Sequence, residues 1–477
     1  MVTEKSSQFK FGTAYYPEHW PEERWKEDIT LMRAAGINVV RMAEFAWSSL
    51  EPKEDVYQLD WLNRAIDLLA ENGIDTVLGT PTAAPPAWLV TRYPDSLAVD
   101  EAGNKIQFGG RCHYCVNSKD YHRLSREIVN TMGEKFGKHS SVIGWQIDNE
   151  FNRICYCEHC RAEFQAFLRK RYGDLDTLNR HWSTRYWSQS YTEWSQIPIP
   201  IGHHNPGLLI NFKYFNTFSY KKFLNLQIET LKPHLHADSF ITHNFMNWFD
   251  GFDHFEMATG LDLVGLDVYV GSGNHDRFRT GANFDLARGL QRKNFWLMET
   301  QPGSVNWAGI NNQLDPGESR AMAWQAIAHG ADAILYWQWR SALGGQEQYH
   351  GTFLDQSGLP RPFYSEGAQL GEELQRVSEI ITNTIPTSQT ALLFDYPSKW
   401  SIGFQPHHEG FDYLEHFLAY YKAIAAHNIP VDIISADSSL DPYRLVIAPG
   451  LIVLNEDRVN SYKEFVRRGG SLVFTVR

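Results

Sequence analysis

Two short apolar runs in this sequence each stop on a carboxylate. Gly144-Trp145-Gln146-Ile147 leads into Asp148-Asn149-Glu150, and Phe295-Trp296-Leu297-Met298 leads into Glu299. Each run has the length and the β-branched and aromatic content of a buried strand, and its polar end is where a parallel strand would meet its loop. In a (β/α)₈ barrel that C-terminal end carries the catalytic side chains. Two carboxyl groups on two strand ends are what glycosidic bond cleavage needs. One gives a proton to the leaving oxygen while the other attacks the anomeric carbon or activates water, and in the retaining version they stand ~5–5.5 Å apart. Asn149, one residue ahead of Glu150, is placed to hydrogen-bond a sugar 2-hydroxyl. Arg41 and Tyr269, each closing an apolar run of its own, are placed to hold a neighbouring carboxylate ionised. Trp307, Trp337 and Trp339 could stack on a sugar ring or fill the barrel top. Glu347 and His350, in a glycine-rich segment, could grip hydroxyls or be ordinary loop residues.

The elements needed to bring Glu150 and Glu299 together are legible as a beat of strands and helices. Residues 11–16, 37–42, 75–80 and 141–147 read as four strands, and 240–244, 263–269, 295–298 and 333–337 as four more. Helices are expected over about 21–35, 59–72, 119–136 and 318–329, with Gly36, Gly73 and Gly330 closing three of them. Eight strands alternating with helices favour an α/β fold, a TIM barrel over about residues 1–385, with a long insertion at about 151–238 after strand four. From 386 the pattern restarts, with strands at 391–395, 431–434, 445–448 and 471–474 and helices at about 413–427 and 456–468. This reads as the beginning of an open doubly wound sheet. It ends at Arg477, just past a strand, so the expectation is an incomplete second domain over 386–477.

All five cysteines fall in two places, Cys112 and Cys115, then Cys155, Cys157 and Cys160 inside the insertion. Clustered cysteines in an intracellular chain read as metal ligands before disulfides. Four thiolates suit tetrahedral zinc, with Cys115 as the fourth ligand beside the tight Cys155, Cys157, Cys160 set. Such a closed site would be structural, since no coordination position is left for substrate. Free buried thiols, or a redox-active Cys112–Cys115 pair, are the competing readings, and His113 and His159 are rival ligands. The net charge of −12 argues against a nucleic acid or anionic membrane partner. The N-terminal ten residues lack the apolar core of a signal peptide and no run has the length of a membrane span. A cytoplasmic enzyme is expected.

The strings Arg41-Met42-Ala43-Glu44-Phe45-Ala46-Trp47, His113-Tyr114-Cys115, Asp148-Asn149-Glu150, Met298-Glu299-Thr300-Gln301-Pro302-Gly303 and Val305-Asn306-Trp307 resemble the clan A glycoside hydrolases, and specifically the family 42 β-galactosidases. The resemblance runs from about Lys10 to the chain end. It implies a catalytic barrel followed by a flavodoxin-like domain that builds a homotrimer, here partial, and a retaining exo-β-galactosidase acting on β-galactosides or galacto-oligosaccharides. It implies Glu150 as acid/base and Glu299 as nucleophile, with Arg41, Asn149, Tyr269, Trp307, Glu347 and His350 lining the galactose subsite. Cys115, Cys155, Cys157 and Cys160 match the family's zinc ligands, leaving Cys112 spare. The rival readings are an endo-glycanase of the same clan, working on mannan or glucan, and an inactive sugar-binding form.

Overall fold

The computed structural model describes residues 8–382 and 384–475. Residues 1–7 and 476–477, on which the expectations about a leader and about the chain end partly rest, lie outside the described residues.

The barrel strands are β1 (Lys10–Ala14), β2 (Val39–Met42), β3 (Asp75–Gly79), β4 (Val142–Gln146), β5 (Phe240–Thr242), β6 (Asn244–Met246), β7 (Gly265–Val268), β8 (Phe295–Thr300) and β9 (Ala331–Tyr336). They run in the order β5-β4-β3-β2-β1-β9-β8-β7-β6, all parallel. Only His243 separates β5 from β6, so one extended stretch pairs with β4 on one side and with β7 on the other. The ring closes there, giving eight barrel positions. His243 is held at the switch by both neighbours: its ring Nδ1 lies 2.8 Å from the Ile147 carbonyl, and its own carbonyl accepts from the Gly265 amide at 3.1 Å. The fifth strand therefore continues to Met246, two residues past its expected end.

Strands covered on both faces need apolar residues on both, which is why these runs are nearly continuous rather than alternating. Val39, Val77, Trp296, Met298, Ala333 and Leu335 fill the barrel interior. The intervening Val40, Leu78, Leu297 and Ile334 face outward and join the larger core under the helices. At the top of β3, Gly79 has no room for a side chain: a Cβ there would lie 2.4 Å from the Cβ of Glu44. That space lets an acidic side chain enter the barrel mouth from β2.

The insertion contributes helices Glu158–Tyr172, Leu175–Trp182 and Pro206–Leu231. The last of these serves two cores. Its first half places Leu208, Phe212 and Phe215 among the cysteines, and its second half places Phe223, Leu224 and Leu231 against the barrel. Part of the stretch expected to be an insertion thus acts as a helix of the barrel layer. Helices Arg277–Gln291 and Pro362–Ile381 were not expected from the pattern.

The second sheet comprises β10 (Thr390–Phe394), β11 (Asp432–Ser435), β12 (Leu445–Ala448) and β13 (Ser471–Phe474), parallel and ordered β11-β10-β12-β13. Second-first-third-fourth is the order in which a flavodoxin-like sheet begins. Between β10 and β11 lies a helix the sequence reading passed over, Tyr396–Phe404, started by Asp395 accepting from the Ser398 amide at 2.8 Å. This sheet packs on the barrel through the helix Arg277–Gln291. A Cβ on Gly289 would overlap the Ile433 carbonyl oxygen, so the helix and β11 touch backbone to backbone. Beside it the buried Arg288 pairs with Asp285 at 2.6 Å and with Asp432 at 2.8 Å.

Candidate active site

Thr80 and Asp148 set the loop that carries the first carboxylate. The Asp148 amide donates to the Thr80 hydroxyl at 2.7 Å, and the Asp148 carboxylate accepts from Thr82 (2.5 Å), Tyr114 (2.8 Å) and the Asn149 amide (2.8 Å). Burial pushes the Asp148 carboxyl up to about 6, against the pull of those donors. Held this way, Asp148 and Glu150 both adopt left-handed backbone, with φ of 55° and 43°. A non-glycine residue pays for that conformation, which persists where its surroundings over-determine it. The consequence is a Glu150 side chain turned into the barrel mouth, where the Arg111 guanidinium meets its Oε2 at 2.5 Å.

Glu299 enters the same space from β8. Arg41 donates to its Oε1 at 2.7 Å and the Tyr269 hydroxyl to its Oε2 at 2.7 Å. Arg41 is fully buried and divided among three partners, since its Nε also lies 2.9 Å from Glu44 and its Nη1 donates to Gln146 at 3.1 Å. Glu44 in turn accepts from the Tyr16 hydroxyl at 2.5 Å. Burial and the Glu150 charge raise the Glu299 carboxyl to about 7, while Arg41 and Tyr269 pull it down. A carboxylate oxygen of Glu150 lies within 4.8 Å of one of Glu299, with Asp267 in the same cluster. Two carboxyls at this spacing leave no room for a separate water between them and suit attack on the anomeric carbon.

The other expected residues gather around this pair. Asn149 is buried and its side-chain oxygen accepts from Gln146 (3.1 Å) and Asn244 (3.0 Å). Trp307, 55% exposed, stands edge-on to Tyr269 with ring centroids 5.7 Å apart, so one of its faces is open to a ligand. Glu347 accepts from the Trp337 indole at 2.8 Å, and Trp337 carries the Arg41 guanidinium over its ring at 5.5 Å. His350 is 1% exposed, its ring 6.0 Å from that of Tyr269, and neither ring nitrogen has a partner among the described residues. Two unused nitrogens at that depth are costly unless a ligand supplies the bonds. Trp339, by contrast, is buried against Phe353 and Tyr364 in the core under the helices.

Comparison with known proteins places this geometry. The sequence profile described as "Beta-galactosidase" of glycoside hydrolase family 42 matches residues 14–377, and the profile described as "Beta-galactosidase trimerisation domain" matches residues 388–477. The chain belongs to glycoside hydrolase family 42. A β-galactosidase of Thermus thermophilus is 38% identical over 477 residues, an alignment covering 95% of this chain and 73% of that protein. A β-galactosidase of Halorubrum lacusprofundi is 36% identical, covering 98% and 69%. The crystal structure of the β-galactosidase from Bacillus circulans sp. alkalophilus superposes with a TM-score of 0.96 at 31% identity, over 99% of this chain and 72% of that one.

In this family 42 chain four of the five cysteines come together. The sulfurs of Cys115, Cys155, Cys157 and Cys160 lie within 4.8 Å of one another, and Cys115 is 3.5 Å from both Cys157 and Cys160. Four thiolates about a zinc ion at ~2.3 Å would stand about 3.8 Å apart, so the spacing fits a tetrahedral metal. No disulfide forms among the described residues. Amides of Val99 and Asn117 and the Asn117 side chain donate to three of the four sulfurs, which suits thiolates. The cluster can hold a metal ion. Cys112 stands apart, its sulfur 3.6 Å from the Asn149 carbonyl, while His113 turns to the Gly110 carbonyl and His159 lies exposed.

Four polar residues at the site escaped the sequence reading: Glu44, Arg111, Asn244 and Asp267. Asn244 is the hub. Its side-chain NH₂ lies 2.6 Å from Asp267, 3.0 Å from Asn149 and 3.3 Å from Glu299, and its carbonyl oxygen accepts from the Glu150 amide at 3.3 Å. A signal for Asp267 was available, since it lies two residues before Tyr269, which directly follows the same strand, and an extended chain puts both side chains on one face. Arg111 had no such signal, because nothing in the loop Gly109-Gly110-Arg111 marks where its side chain goes.

Proposed function

We propose that the chain is a retaining exo-β-galactosidase in which Glu299 is the nucleophile and Glu150 the acid/base. The observation that carries this is the pair of buried carboxyls from β4 and β8 with oxygens within 4.8 Å. Glu299, aimed by Arg41 and Tyr269, attacks the anomeric carbon while Glu150 protonates the departing oxygen, leaving a galactosyl ester on Glu299. Glu150, now ionised, takes a proton from water as the water attacks the same carbon. Two inversions give net retention. Asn149 is assigned to the 2-hydroxyl, Glu347 and His350 to further hydroxyls, and Trp307 to the apolar face of the ring. The unfilled hydrogen-bonding capacity of His350 supports its assignment.

The remaining assignments complete the reading. Zinc is the metal we assign to the four cysteines, for a structural role near the Arg111 loop. We take 1–385 as the catalytic barrel and 386–477 as a flavodoxin-like domain, with a homotrimer as the assembly. The trimerisation profile matched there supports this. A cytoplasmic location fits the sequence, and among the described residues no helix is long and apolar enough to cross a membrane. Hydrolysis of p-nitrophenyl glycosides tests the substrate: kcat/KM on the β-D-galactoside should exceed that on the β-D-glucoside and β-D-mannoside by roughly 100-fold. A preference for the mannoside or glucoside would overturn the assignment and favour the endo-glycanase reading.

A further inference from the structure

Three side-chain amides, Gln146, Asn149 and Asn244, are hydrogen-bonded to one another beside the carboxyl pair, each at most 1% exposed. The two ends of an amide are alike in size and differ in whether they donate or accept. Which end of Asn149 faces a sugar is therefore decided by the partners that hold its other end.

Gln146 is oriented by two groups whose roles are fixed. Its Oε1 accepts from the Arg41 guanidinium at 3.1 Å, and its NH₂ donates to the Asp148 carbonyl at 2.9 Å. A guanidinium only donates and a carbonyl only accepts, so this side chain cannot turn over. The second hydrogen of its NH₂ goes to the Asn149 side-chain oxygen at 3.1 Å. Asn244 is fixed in the same way. Its Oδ1 accepts from the Glu150 main-chain amide at 3.3 Å, so its NH₂ is turned to Asp267 at 2.6 Å and to the Asn149 oxygen at 3.0 Å. Glu299 Oε1, at 3.3 Å, is the longest of the three contacts of that NH₂. The Asn149 oxygen thus receives one hydrogen from each neighbour and has no capacity left. Its NH₂ makes no hydrogen bond among the described residues.

We propose that Gln146 and Asn244 are positioning residues that turn the Asn149 amide so that its NH₂, and not its oxygen, meets the substituent at C2 of the sugar. This rests on the assignment of Asn149 to the 2-hydroxyl. The 2-oxygen then accepts, and its own hydrogen is left for another acceptor in the site. The orientation sets a specificity. A hydroxyl at C2 pairs with the amide, whereas a C2 bearing only hydrogen leaves a buried donor unpaired. An amide free to turn over would divide its population between two faces, of which one suits the substrate; holding it in advance removes that cost. The gain appears in the rate, because hydrogen bonds at the 2-position strengthen as the oxocarbenium-like state forms. Arg41 serves both ends of this arrangement, donating to Glu299 Oε1 at 2.7 Å and to Gln146 at 3.1 Å. One guanidinium thus aims the nucleophile and, through Gln146, the amide.

Gln146→Met in the full chain keeps a side chain of similar length and removes the hydrogen bond it gives to Asn149. The probes are p-nitrophenyl β-D-galactoside and its 2-deoxy counterpart, which differ only in the group that Asn149 meets. Relative to the wild type on the same substrate, kcat/KM of the variant should fall roughly tenfold or more on the galactoside, and at least about fivefold less on the 2-deoxy substrate. A residue that merely packs costs both substrates alike, so losses agreeing within fivefold would overturn the proposal. An Asn149→Ala background gives a second reading. There the Gln146→Met change should cost no more than about threefold on the galactoside, since no amide remains to be turned, and a larger cost overturns the proposal. If Gln146→Met does not fold, Asn244→Ala takes its place under the same two criteria. A wild-type chain inactive on the galactoside would instead refute the functional reading itself.

Discussion

Glu299→Gln should lower kcat on an aryl β-D-galactoside by roughly 10⁴-fold or more, about 5.5 kcal/mol of barrier, with KM changed little. The amide keeps the shape of the side chain, its oxygen can still accept from Arg41 and its NH₂ can donate to the Tyr269 hydroxyl oxygen, so the fold and the sugar subsite persist. What disappears is the electron pair that attacks the anomeric carbon. Removal of a buried charge beside Asp267 and Glu150 also relieves repulsion, so thermal stability should not fall. Activity within tenfold of the wild type would place the nucleophile elsewhere, with Asp267 the first alternative.

The second large effect concerns the cysteines. The purified chain should contain about one zinc per polypeptide by elemental analysis, and Cys160→Ser should lose it and melt roughly 5–10 °C lower. The reasoning starts from placement. Cys160 opens the helix Glu158–Tyr172, while Cys115 lies on the segment that follows Arg111, so one ion would tie the insertion to the loop that pairs with Glu150. The insertion also has its own apolar cluster, in which Phe164, Leu168, Trp182 and Phe212 pack beside the sulfurs. That cluster should keep the variant folded at low temperature, with the damage appearing as lowered stability and reduced kcat/KM. A metal-free preparation with an unchanged melting temperature would contradict the assignment.

How far these features can be read from sequence depends on whether a residue's role is local. The barrel strands are legible because parallel strands covered on both faces produce continuous apolar runs, and the cysteine set because its spacing is chemistry in itself. Glu150 and Glu299 follow from the same runs, since each ends one. The helix Arg277–Gln291 was missed for the opposite reason. Arg277, Arg279, Asn283, Asp285 and Arg288 give it no apolar stripe, yet most of it is buried, because β11 and the ion pairs of Arg288 cover its outer side. The break at His243 is likewise invisible locally, since only closure of the ring requires the fifth strand to change partner there. Arg111, Asn244 and Asp267 are defined by what they meet across the barrel mouth, and only the closed ring brings those partners together.

A covalent galactosyl bond to Glu299 is the defining intermediate of the proposed reaction. Incubation with 2,4-dinitrophenyl 2-deoxy-2-fluoro-β-D-galactopyranoside slows both steps while keeping a leaving group that departs without help, so the glycosyl-enzyme should accumulate. Peptide mass spectrometry of the trapped chain should find one fluorogalactosyl group per polypeptide, on Glu299, with turnover returning as the ester is hydrolysed. A label on Glu150 or Asp267, or full inactivation with no label at all, would contradict it.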